Sequence, residues 1–148
     1  MKKISLAVLL LSPFAMLQSL KAQPQFNHIT VYVVNLEKSA AFYKNALQLQ
    51  EISEPFHDGR HVWFKIGEHS QLHVVSGAKE IIAHDINIHL AFTVRSVENF
   101  AGHLDSLGIK YGNWAQSSKE PQVRPDGIKQ IYLQDPDGYW LEVNDDKF

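Results

Sequence analysis

Six stretches of this chain alternate, residue by residue, between aliphatic side chains and polar or aromatic ones. A period of two is the signature of β-strands whose two faces meet different surroundings. In residues 26–34 (FNHITVYVV), Ile29, Val31 and Val33 oppose His28, Thr30 and Tyr32. In 60–66 (RHVWFKI), Val62, Phe64 and Ile66 oppose His61, Trp63 and Lys65; in 71–76 (QLHVVS), Leu72 and Val74 oppose Gln71, His73 and Val75. Stretch 86–94 sets Ile88, Leu90 and Phe92 against Asn87, His89 and Ala91. Ile131 and Leu133 oppose Gln130, Tyr132 and Gln134, and Leu141 and Val143 oppose Trp140, Glu142 and Asn144. A sheet buried on both sides would be apolar on both. A sheet open to solvent rarely collects Tyr32, Trp63, Tyr132 and Trp140 on its wet face. The pattern predicts curved sheets that carry helices on the aliphatic side and line a wet cavity with the other.

The elements recur in one order. After the first strand, Asn35 caps a helix with Leu36, Ala40, Phe42, Tyr43 and Leu47 at helical spacing, and three strands follow. After the strand at 86–94, Ser96 caps a second helix, with Glu98 in its first turn and Gly108 at its end, and three more strands follow. Each half reads βαβββ, an internal duplication visible in element order rather than in letters. The expected class is therefore α+β: two βαβββ modules, about 26–77 and 86–146, forming curved mixed sheets around a cavity with helices on the outer face. The string DPDG at 135–138 reads as a hairpin turn without chemistry, and the Ser-, Pro- and charge-rich stretch 116–127 reads as a lid.

Three imidazoles and one carboxylate stand in the middle of the alternating runs, on the polar face: His28, His73, His89 and Glu142. A single strand histidine is ordinarily a hydrogen-bonded structural residue. Four such groups aligned on one cavity face form a donor set for a divalent metal ion, zinc, nickel or iron. His73 has a second reading, as a group behind the ligands or against the substrate. Trp63 and Tyr132 are candidate cavity walls, and Arg60 and Arg124 candidate substrate contacts near strand ends or in the long loop. His57, His61, His69, His84 and His103 are expected on the surface or in loops, with His61 sharing a face with Trp63. A formal net charge of -2 gives no electrostatic case for nucleic acid or an anionic membrane as partner. The expected partner is a small molecule.

Residues 1–22 stand apart from this pattern. Lys2 and Lys3 precede an apolar run from Ile4 to Met16, and LQSLKA leads to the small residue Ala22. This is the layout of a signal peptide, with the mature chain 23–148 beginning near Gln23 as one domain that is secreted or periplasmic. The apolar run is too short to span a bilayer comfortably, and the chain has no Cys to carry a lipid, so no stable membrane insertion is expected after processing.

The repeated βαβββ order, NHITVYVVNLEKSAAFY at 27–43, His89 in the fifth long strand and DPDGYWLEV at 135–143 together resemble the vicinal oxygen chelate superfamily. That group includes glyoxalase I, fosfomycin-resistance enzymes, extradiol dioxygenases, methylmalonyl-CoA epimerase and bleomycin-binding proteins. The resemblance covers essentially the whole mature chain. It implies metal ligands at His28, His89 and Glu142. His73 occupies the fourth-strand position where glyoxalase I carries a glutamate, so the site loses one negative charge and one candidate base. The implied function is a metal-dependent, lactoylglutathione lyase-like lyase or isomerase. Its substrate would chelate through two adjacent oxygens and pass through an enediolate-type intermediate, with Glu142 as catalytic base. A signal peptide argues against the cytosolic thiol glutathione as part of the substrate. Two alternatives stay open: a ferrous extradiol-type dioxygenase, which His28, His89 and Glu142 permit, and a non-enzymatic small-molecule binding or resistance protein. The resemblance also implies a homodimer in which His28 and His73 of one subunit meet His89 and Glu142 of the other.

Overall fold

A computed structural model describes residues 24–147, so the signal-peptide expectation for 1–22 lies outside the described residues. Module one runs β1 (His28–Val33), α1 (Leu36–Asn45), β2 (Gln50–Ile52), β3 (His61–Lys65), β4 (Gln71–Ser76). Module two runs β5 (His89–Thr93), α2 (Val97–Ser106), β6 (Tyr111–Gly112), β7 (Gln122–Val123), β8 (Lys129–Gln134), β9 (Trp140–Asn144). Both helices start where the sequence places a cap. The Asn35 side chain accepts from Lys38 N at 2.9 Å, and Ser96 Oγ accepts from Asn99 N at 3.2 Å, each satisfying an otherwise orphaned first-turn donor.

Each module folds into its own mixed sheet. The orders are β1-β4-β3-β2 and β5-β9-β8-β6, with β1–β4 and β5–β9 parallel and the other pairs antiparallel. In the first sheet Thr30, His73 and Trp63 form one cross-strand row. In the second, Ala91, Glu142 and Tyr132 form another. The stretch expected as a lid contains β7, which pairs with β8 through Gln122–Gln130 and Val123–Lys129. Two paired residues are too short a run for alternation to reveal.

The aliphatic faces and the helices share one core. It joins Val31, Val33, Phe64, Leu72 and Val74 of the first sheet, Tyr43 of α1, Val97 and Leu104 of α2, and Ile131, Leu133, Leu141 and Val143 of the second sheet. Burying each such side chain stabilises the fold by about 1.5–3 kcal/mol relative to leaving it in water. Because both aliphatic faces are spent on this shared core, both polar faces are turned away from it.

The DPDG stretch is the turn of the β8–β9 hairpin, as expected, and it also joins the modules. Asp137 Oδ1 accepts from Val34 N at 2.7 Å, and its Oδ2 accepts from Ser39 Oγ. Asp135 Oδ2 accepts from Tyr43 OH at 2.7 Å, while Oδ1 accepts from the backbone of Asp137 and Tyr139. Gly138 adopts φ +89°, and a Cβ there would sit 3.1 Å from Ile82 O. Both demands select glycine. Burial raises Asp135 above its ordinary carboxyl value, although the bonds from Tyr43 and the backbone pull the other way. Burial and the Asp135 carboxylate likewise raise the Tyr43 hydroxyl.

Candidate functional site

Glu142 lies on the polar face of β9, only 6% exposed, and its carboxylate is the hub of the second sheet. Tyr132 OH donates to Oε2 at 2.6 Å, and Asn144 Nδ2 donates to Oε1 at 2.8 Å. His89 Nε2 stands 3.2 Å from Oε2, and Arg124 Nη1 stands 3.9 Å from Oε1. Both oxygens are thus oriented by the protein. Burial, together with the bond to this carboxylate, raises the Tyr132 hydroxyl, so it stays a proton donor at neutral pH. His89 Nδ1 lies 2.8 Å from Ile86 O, a backbone acceptor, so Nδ1 is the donor there and Nε2 is the nitrogen on the Glu142 side.

His28 and His73 belong to the first sheet and form a separate group. Their rings stack at 4.3 Å and 12°, and His73 also lies flat on Trp63 at 3.8 Å and 3°. His28 Nδ1 faces Asn27 Oδ1 at 2.7 Å, leaving Nε2 free of that bond, whereas His73 Nε2 faces Gln71 Oε1 at 2.9 Å. Desolvation first, then the proximity of His28 and His61, lowers the His73 pKa and keeps its ring neutral. In-plane lone pairs of two parallel rings run side by side and do not converge on one point. Among the described residues, no group of three or more His, Asp or Glu side chains is placed to hold one ion. Within one chain, then, the four sequence-derived residues form two pairs on two sheets.

The donor chemistry fits a metal ion at the second pair. Adjacent ligands about 2.1 Å from one ion lie roughly 3 Å apart, and a ligating imidazole normally gives its other N–H to a carbonyl or carboxylate. His89 and Glu142 meet both conditions. Of the substrate-contact candidates, Tyr132 and Arg124 are beside Glu142. Trp63 is half-buried in the first sheet, and Arg60 is exposed, donating to Ser76 O at 3.1 Å. His57 and His69 are exposed, as expected. His61 is anchored by Asp58 at 2.8 Å, His84 stacks on Tyr139, and His103 bonds Asn45 O. Sequence reasoning passed over Asn144 and Asp126. The first was visible as the next same-face residue after Glu142. The second, which grips Arg124, gave no periodic signal. Gln130 was also passed over; it is 5% exposed on the same polar face, and its Oε1 has no partner among the described residues.

The family model for the Glyoxalase/Bleomycin resistance protein/Dioxygenase superfamily matches residues 25–143. The chain belongs to this superfamily. Solved structures agree on the glyoxalase-superfamily fold. A lactoylglutathione lyase from Agrobacterium tumefaciens superposes with a TM-score of 0.63 at 20% identity, covering 84% of this chain and 96% of that one. A fosfomycin resistance protein from Listeria monocytogenes gives 0.66 at 22%, covering 85% and 96%. A glyoxalase family protein from Bacillus anthracis gives 0.66 at 25%, covering 84% and 97%. One glyoxalase-superfamily scaffold thus carries proteins of different activities, and function has to be argued from the site.

Proposed function

We propose that this protein is a metal-dependent enzyme of the glyoxalase type, a lyase or isomerase acting on a small molecule chelated through two adjacent oxygens. The observation that carries the reading is the His89–Glu142 pair, 3.2 Å apart, with His89 Nδ1 committed to Ile86 O. His28 Nε2 is the third donor, supplied from the polar face of β1. Because that face belongs to the other sheet, the working unit is a two-fold homodimer in which β1 of one subunit faces β9 of its partner. The exposure of His28, Thr30 and Tyr32 supports this arrangement.

A divalent ion held by these residues would supply Lewis acidity to the chelated oxygens. The chain's own part is proton handling and positioning. Glu142 takes the proton from the carbon beside those oxygens. Asn144 and Tyr132 aim its two oxygens. The flat Trp63–His73 stack offers a wall for a planar or apolar substrate part. Export through residues 1–22 would place this chemistry outside the cytosol and away from glutathione.

One observation favours a second reading. His73 is occupied by Trp63, His28 and Gln71, which leaves His28, His89 and Glu142 as a two-histidine, one-carboxylate set suited to ferrous iron and oxygen chemistry. Metal analysis of protein purified without chelator separates the readings. Zinc or nickel near one per chain, lost in His89→Ala, supports the lyase or isomerase. Iron supports the dioxygenase. Wild-type protein that takes up none of the three would overturn both in favour of a binding protein.

A further inference from the structure

We infer that Arg124, oriented by Asp126, binds an anionic oxygen of the substrate beside Glu142, so that the substrate class is a small carboxylate or comparable oxyanion. The inference deepens the proposed function and rests on its reading of Glu142 as part of the reaction centre. Its basis is the way the guanidinium divides its donors. Nε donates to Asp126 Oδ1 at 3.2 Å, and Nη2 donates to Asp126 Oδ2. This two-point grip along one edge fixes the plane of the group. Nη1 is the nitrogen left over, and it faces Glu142 Oε1 at 3.9 Å. That separation is an ion pair but too long for a hydrogen bond. Glu142 does not call on Arg124 for a hydrogen bond, since Asn144 serves Oε1 and Tyr132 serves Oε2. Among the described residues, Nη1 has no hydrogen-bonded acceptor, and it stands beside Glu142.

The backbone holds this arrangement in advance. Arg124 N donates to Ile128 O at 2.8 Å, and Gly127 N donates to Arg124 O at 2.9 Å, so gripped and gripping residues share one tight turn. Asp126 Oδ1 also accepts from Ile128 N at 3.3 Å. A lysine would offer charge without the planar fork. The Arg124–Asp126 pair is neutral as a unit, so selectivity for an oxyanion comes from directed N–H groups and not from excess positive charge. An oxygen seated on Nη1 lies next to the carboxylate that takes the proton, which orients the reacting carbon.

The probe is oxalate, titrated calorimetrically onto zinc-loaded full-length protein at low ionic strength, with zinc content checked afterwards. Arg124→Gln is expected to weaken oxalate binding about 10-fold or more while zinc affinity stays within a few-fold, as for loss of a charge-assisted hydrogen bond. Lys119→Gln, which removes an equal charge that is exposed and paired with Asp105, should leave binding unchanged. Asp126→Asn decides between orientation and charge. It adds net positive charge, so a purely electrostatic effect would tighten binding, whereas loss of the grip weakens it. Wild-type affinity in Arg124→Gln, or tighter binding in Asp126→Asn, would overturn the inference and leave the metal reading standing. If wild-type protein takes up none of zinc, nickel and iron, the metal reading fails instead. Oxalate titrated onto the metal-free protein then decides: Arg124-dependent binding upholds the inference and none overturns it.

Discussion

Glu142 accepts from Tyr132 and Asn144 and faces His89, so each partner can be removed singly. Glu142→Gln keeps the shape but offers one neutral carbonyl in place of a carboxylate. Affinity for zinc or nickel should fall about 10- to 100-fold. Turnover, once a substrate is found, should fall by a further 10²- to 10⁴-fold or so, since the proposed general base is lost as well. Unchanged metal affinity in a chelator competition assay would make Glu142 structural. Tyr132→Phe keeps the ring in the wall and deletes only the hydroxyl that steadies Oε2. Metal affinity should drop about 10-fold, at the low end of the range for residues that support ligands. Thermal stability of the metal-free variant should stay close to wild type, which separates a supporting role from a folding defect.

Among the elements, the turn between β8 and β9 carries more than its sequence suggests. Asp137→Ala strands two donors, the buried Ser39 Oγ and the part-buried Val34 N. At about 1–3 kcal/mol for a stranded group, with the part-buried Val34 N at the low end, the expected loss is about 2–4 kcal/mol in urea unfolding. A loss under about 0.5 kcal/mol would mean that the turn does not join the modules. Asp135 gives this latch a pH signature. Its folded pKa is raised, so its contribution to stability is fully present below the unfolded value of about 3.9 and is lost as pH rises through the folded pKa. Relative to Asp135→Asn, the wild type should therefore lose unfolding free energy as pH climbs from about 4 into the mildly acid range. A difference that stays flat, or that grows with pH, would contradict burial as the dominant cause.

For the whole molecule, the decisive property is that the two polar faces look away from one shared core. A homodimer that brings β1 of one subunit to β9 of the other is the expected solution state. Sedimentation should give about twice the mature mass at micromolar concentration. A metal-loaded monomer would rule out the shared site. Mixed dimers offer a sharper check. His28→Ala and His89→Ala chains, each short of metal alone, should regain one complete site per dimer when combined. The expectation for residues 1–22 belongs to this scale too, and N-terminal sequencing of native protein should begin near Gln23. An intact Met1 in a soluble cytoplasmic fraction would dismiss export.

Alternation alone was enough to assign the strand faces, because a pleated strand sends successive side chains to opposite sides whatever lies around it. The caps at Asn35 and Ser96 were equally local, each needing only a side chain and an amide three residues on. That is why β4, both helix starts and the polar setting of His28, His73, His89 and Glu142 were legible before any fold was known. How those four residues group was not legible. Period tells which face a residue is on, but not which faces meet, and that was decided by Tyr43, Ser39, Asp135 and Asp137 locking the modules through their aliphatic sides. The stack of His28, His73 and Trp63 was hidden for the same reason. Such contacts depend on strand register and side-chain direction across neighbouring strands, which only the tertiary structure sets.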